Sequence, residues 1–247
     1  MYAMAKNLSI SSTISLAAGT IALQKAIIDW RNFIRELMAD ELRQAPRMGG
    51  PGQIVEIDES LFRGRRKYNR GRMLRADGVP GRMPNNHGQR IEGPWGPWVF
   101  GLLHQATGEL RLFAVEKRDA ATLLPLIVAN VAPGTTIWSD EWAAYRGIPQ
   151  CQDTPQNGGG PMRLQHQSVN HSVEFVDQVT GANTQRLECE WERCKLQLMR
   201  LNKGTSPALL PGHLAAFWWA SLHGAAKCND PFLRLVGLVR EHYPQVR

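Results

Sequence analysis

From Ile54 to Ser60 the chain reads Ile-Val-Glu-Ile-Asp-Glu-Ser, a β-branched run with acids at 56, 58 and 59. The apolar residues Ile54, Val55 and Ile57 predict a buried strand. Alternation puts Glu56 and Asp58 on one face and Ile57 and Glu59 on the other. A carboxylate in such a strand is costly to bury without a partner, so Asp58 is expected near the end of a central strand, holding a metal. The same pattern predicts a hairpin over 97–118: Trp98–His104 and Glu109–Val115 flank a turn at Ala106-Thr107-Gly108. Asp119 caps a helix from about Ala120, with Leu123, Leu124, Ile127, Val128 and Val131 on its apolar side. Pro133-Gly134 ends it, and Thr135–Ser139 predicts a further strand running into Asp140.

The flanks read as helical. Over residues 1–45, Leu23, Ile27, Trp30, Ile34, Leu37 and Met38 recur at spacings of three and four. Gly19-Thr20 permits a helix-turn-helix; a single amphipathic helix packing on the main domain is the alternative. Residues 147–165, rich in Pro and Gly, read as loop, and His166–Val176 mixes polar and apolar positions without a clear period. A helix then starts near Thr184 and runs to about Leu201, striped by Leu187, Trp191, Cys194, Leu198 and Leu201. Two more helices are expected, one carrying Leu214, Phe217, Trp218 and Leu222 and one over Phe232–His242.

Charge narrows the choice of partner. The chain of 247 residues has a formal net charge of +7, and its sequence pI is about 9.5; both suit a polyanion. Arg63, Arg65, Arg66, Lys67, Arg70 and Arg72 open a basic loop over 61–95 that is broken by glycines and prolines. Arginine pairs with phosphate bidentately, and such loops hold nucleic-acid backbone without reading sequence. Cys151, Cys189, Cys194 and Cys228 include no C-x-x-C pair, which excludes a zinc-ribbon signature and favours a reduced, intracellular setting. No apolar run is long enough for a membrane span. The Ser-rich stretch after Lys6 lacks the apolar core of a signal peptide.

The element order (strand, basic loop, hairpin, helix, strand) predicts an α/β fold. It is a ribonuclease-H-like mixed sheet flanked by helices, in which the first and fourth strands lie side by side. Asp58 and Asp140 then become neighbours. A third acid is expected on the helix after the long insertion, where Glu188, Glu190 and Glu192 compete. Positions 188 and 190 lie about 200° apart on a helix, so one site cannot use both. Three carboxylates suit hard Mg²⁺ or Mn²⁺, two ions about 3.5–4 Å apart. Trp142, beside Asp140, either packs under the site or stacks on a flipped base.

These motifs, in this order, resemble one family. Glu56-Ile57-Asp58-Glu59-Ser60, Val99-Phe100-Gly101 with Thr107-Gly108, and Ser139-Asp140-Glu141-Trp142-Ala143-Ala144-Tyr145 come first. Val169-Asn170-His171-Ser172, Phe175-Val176-Asp177, Thr180-Gly181-Ala182, and Leu187-Glu188 with Trp191 and Lys195 complete the set. Over roughly 54–203 the chain looks like the DDE transposases of the ISXO-like and Merlin kind. The resemblance implies that Asp58, Asp140 and Glu188 are the catalytic, metal-binding acids. It implies that Lys195 touches DNA and that the enzyme cuts transposon ends and joins them to target DNA. It also implies a homo-oligomer on paired ends, in the nucleus of a eukaryote or the cytoplasm of a bacterium. Asn170 and His171 are candidate site neighbours, with a satisfied polar residue as the alternative reading of His171. The expected organisation is a helical N-terminal segment over 1–48, with a degenerate helix-turn-helix as one reading of it, a catalytic domain over 49–203 and C-terminal helices over 204–247 packing on the core. The alternative function is a domesticated, catalytically inactive DNA-binding derivative.

Overall fold

The computed structural model describes residues 1–5, 8, 10–16, 21–62, 98–169, 176–201 and 205–244, without the side chains of 16, 21–23 and 199–201. The basic loop from Arg63 onward, Asn170 and His171 therefore lie outside the described residues. So do the side chains of Leu23 and Leu201. The described elements are α1 (Tyr2–Ala5), α2 (Ile10–Leu16), α3 (Ile21–Gln44), β1 (Ile54–Leu61), β2 (Trp98–His104), β3 (Leu110–Val115), α4 (Ala120–Asn130), β4 (Thr136–Asp140), β5 (Gln165–Val169), α5 (Gln185–Lys195), α6 (Leu210–His223) and α7 (Pro231–His242). They fall into two compact units: one holds 1–46, 107–112 and 208–247, and the other holds 47–106 and 113–207.

Five strands form one sheet in the order β3-β2-β1-β4-β5. β1 pairs antiparallel with β2 and parallel with β4, and β4 pairs parallel with β5. This mixed sheet has the ribonuclease-H-like arrangement expected from the sequence. One face of β1 carries Val55 and Ile57, which pack with Ile137 of β4 and with Leu123, Ile127 and Val128 of α4. Asp119 starts α4 as expected, its carboxylate accepting from the backbone N–H of Thr122 at 2.9 Å.

Two expectations change. Asp58 stands in the middle of an eight-residue strand rather than near its end. The loop expected over 147–165 contains 3₁₀ turns at Ala143–Gln150 and Pro155–Asn157, and β5 follows it. Gln165-His166-Gln167-Ser168 is too polar to signal a strand by pattern. It forms one because it is the sheet's outermost strand, where its side chains need not be apolar, and β4 supplies the backbone partners. The helix from Thr184 ends as regular α-structure at Lys195 and continues as a π-helical stretch, Leu196–Leu201.

In the helical unit, Ile34, Leu37 and Met38 of α3 are buried against Trp218, Trp219, Leu235 and Leu238 of α6 and α7. The predicted α3 stripe is shorter than its pattern, since Trp30 is 59% exposed. Glu109 and Arg111 form a buried ion pair at 2.7 Å, and the Trp218 indole N–H donates to Glu109 at 2.8 Å.

Burial, with Arg35 and Arg31 nearby, pushes His213 of α6 down to about 4. An unfolded chain protonates this ring near pH 6.5. Between those values the unfolded state binds the extra proton, so stability falls as pH drops from about 6.5 toward 4. Thermal midpoints measured from pH 7 to pH 4.5 should decline less steeply in His213→Gln than in the unsubstituted protein.

Candidate active site

β1 offers α5 one polar face. Along it, Glu56, Asp58 and Ser60 point the same way, and each meets a residue four further along the helix than the last. The backbone N–H of Leu187 donates to Glu56 Oε2 at 3.0 Å. The indole N–H of Trp191 donates to Asp58 Oδ2 at 2.9 Å. Lys195 Nζ donates to Ser60 Oγ at 2.6 Å. The spacing works because two strand residues advance about 6.7 Å and four helical residues about 6.0 Å. The Leu187, Trp191, Cys194 and Leu198 stripe is buried as the sequence predicts, and Trp191 meets Phe62 edge-on at 5.9 Å between ring centres.

The parallel pairing of β1 with β4 runs from Ile54 opposite Thr136 to Glu56 opposite Trp138, two residues short of Asp58 and Asp140, and the charge of Asp140 bears on Asp58. On the other flank of Asp58, β2 presents Gly101, which adds no side chain to that face. Asp140 Oδ1 accepts from the backbone N–H of Trp142 at 3.1 Å. Of the three glutamates on α5, Glu190 turns to Arg193, paired at 2.7 Å. Glu188 accepts from the Thr184 hydroxyl at 3.2 Å, and its charge bears on both Asp58 and Glu56. Among the described residues no three His, Cys, Asp or Glu side chains form a ready cation cage. Trp191, Thr184 and the backbone of Trp142 each hold one oxygen of the three acids.

The electrostatics are those of crowded carboxylates. Burial, together with the charges of Asp140 and Glu188, pushes Asp58 up to about 7 against the Trp191 hydrogen bond. Burial raises Glu59 to about 8, with Asp58 and Asp140 adding to it. Glu59 lies on the opposite face, where it accepts from the Tyr145 hydroxyl and meets Arg118 at 3.7 Å. The Arg118 guanidinium stacks over Trp98 at 3.7 Å, with Trp142 at 5.1 Å, and its carbonyl accepts from the Trp142 indole N–H at 3.1 Å. Trp142 is thus half-buried and held by Arg118. Burial pulls Lys195 down, opposed by Asp58.

Sequence reasoning missed Gln105 and Arg118 in this region, and it gave no task at the site to Tyr145, quoted only within a motif, or to Thr184, read only as the start of a helix. Only the strand-to-helix spacing of the β1 and α5 partners was available as a signal.

A mixed sheet of this order, with two acids on its parallel central strands and a helix clipped across them, defines a ribonuclease-H-like domain. The family model of the ISXO2-like transposase domain matches residues 49–221, and the chain belongs to that family. Among solved structures the chain is similar to the crystal structure of the Mos1 strand transfer complex, at 12% identity and a TM-score of 0.34. That match covers 87% of this chain and 59% of the other, so this chain spans under two thirds of its length. No curated protein matches the chain. Among the described residues no helix is long and apolar enough to cross a membrane.

In the folded protein Asp58 keeps its proton up to about pH 7, against 3.8 for a free carboxyl. Stability therefore falls as pH rises through that window, and the full cost is present above it. In metal-free protein, Asp58→Asn should raise the thermal midpoint by several degrees at pH 8 and by less at pH 5, as measured by calorimetry.

Proposed function

We propose that this protein is a DDE transposase that cleaves DNA at transposon ends and transfers the freed strand to target DNA, with Asp58, Asp140 and Glu188 as its catalytic acids. The observation that supports this reading is that Asp58, on the β1 face bonded to Trp191 of α5, feels the charges of both Asp140 and Glu188. Family membership supplies the reaction class.

The donor chemistry fits a divalent cation. All three groups are carboxylates, which suit Mg²⁺ or Mn²⁺; burial, with the charges of Asp140 and Glu188 adding to it, lifts Asp58 to about 7, and a nearby cation would favour its ionised form. Asp58, Asp140 and Glu188 would hold it, and the resemblance implies two ions. When bound, such ions activate the attacking water or 3′-hydroxyl and neutralise the leaving oxygen. The chain's own residues then set the geometry. Trp191 and the backbone of Trp142 orient the two strand acids. Lys195, which donates to Ser60 on the same face, would meet a phosphate, a role its cationic chemistry supports. Arg63, Arg65, Arg66, Lys67, Arg70 and Arg72 supply the remaining backbone contacts to DNA, a proposal that rests on their sequence. Action on paired ends calls for a homo-oligomer.

Incubating the protein with DNA carrying the element's ends and Mg²⁺ or Mn²⁺ should give cleavage that disappears on chelation. Asp58→Asn, Asp140→Asn and Glu188→Gln should each lower the rate by at least about a thousandfold. Wild-type rates in these variants would overturn the assignment. Salt-sensitive DNA binding that survives all three, without turnover in any protein, would favour the domesticated alternative.

A further inference from the structure

Glu56 has no exposed surface and lies two residues before Asp58 on the same strand face, yet the proposed chemistry gives it no task. Both of its carboxylate oxygens are engaged. Oε2 accepts the Leu187 N–H at 3.0 Å, in the first turn of α5, and Oε1 accepts from Gln105 Nε2 at 2.7 Å. The carbonyl of Gln105 in turn accepts from Arg186 Nη1 at 2.6 Å, which closes a clamp between the turn after β2, the strand β1 and the start of α5.

A helix leaves its first N–H groups without intrahelical partners, and the residue at its N-cap normally supplies a side-chain acceptor. Thr184 occupies that position but makes no such bond. Its hydroxyl donates to Glu188 Oε1 instead, at 3.2 Å. The acceptor comes from β1, and a carboxylate at a helix N-terminus also gains from the helix dipole.

We infer that Glu56 is a positioning residue: its carboxylate caps α5 from the strand that bears Asp58, leaves Thr184 to orient Glu188, and so fixes where Glu188 stands relative to Asp58 for a divalent cation. The inference rests on the reading of Asp58, Asp140 and Glu188 as cation-holding acids. It assigns Glu56 no contact with the cation or with DNA.

Mn²⁺ binding to the full chain, followed by the electron paramagnetic resonance of free Mn²⁺ without DNA, tests it apart from turnover. Glu56→Ala should weaken binding by about tenfold or more, the usual cost of losing an outer partner of a metal ligand. Glu56→Gln keeps an oxygen for the Leu187 N–H and should stay within about threefold of the unsubstituted protein. If Glu56→Ala binds as the unsubstituted protein does, or Glu56→Gln falls as far as Glu56→Ala, the positioning role is overturned while the site assignment stands. If the unsubstituted protein and Glu188→Gln bind Mn²⁺ equally, the site assignment falls and takes this inference with it. Should Glu56→Ala fail to fold, Gln105→Ala carries the test: it removes one donor to the buried carboxylate, is expected to weaken binding measurably, and overturns the role if it does not.

Discussion

The site depends on one mechanical match: a strand and a helix laid side by side with nearly equal steps. Glu56, Asp58 and Ser60 on β1 reach Leu187, Trp191 and Lys195 on α5 in sequence. The two elements run in the same direction, and each bond fixes the next. Burial of the helix stripe holds α5 down, but apolar contact is non-directional and would permit sliding. The three polar bonds set the register, and with it the position of Glu188 over the sheet.

Against that frame stands an electrostatic cost. Acidic groups crowd a partly dehydrated region: burial, with Asp140 and Glu188 nearby, lifts Asp58 to about 7, and burial lifts Glu59 on the opposite face to about 8. A sheet built only for stability would put apolar residues at the centre of β1. The acids persist there because neighbouring donors and the surrounding core over-determine their positions, the pattern expected where function and stability conflict. Tyr145 and Arg118 play that part for Glu59, and Trp191 for Asp58.

Much of the fold was legible in the residues. β1, the hairpin, α4 with its Asp119 cap, β4 and the stripe of α5 all follow from periodicity and turn chemistry, because each buries an apolar face locally encoded by its own sequence. β5 was not legible, since a polar edge strand is specified by its neighbour β4 and not by itself. The exposure of Trp30 was hidden for a related reason: a helical stripe shows which side is apolar but not how far its covering helices extend. Asp58, Asp140 and Glu188, the acids proposed for the site, stand in motifs readable in the sequence. The groups that orient them were not readable, because Gln105, Arg118 and Thr184 matter only through contacts made across the fold.

The π-helical stretch after Lys195 follows from the same geometry. Strand and helix steps behave like two scales of a vernier, differing by roughly 0.7 Å per graduation, so a fourth coincidence would already be displaced by about 2 Å. Among the described residues Lys195 is the last of the helix to bond to β1, and the turns widen over Leu196–Leu201. Widened turns of this kind are rare and gather at functional sites, and this one opens at the residue after Lys195, the last of the three α5 positions that bond to β1.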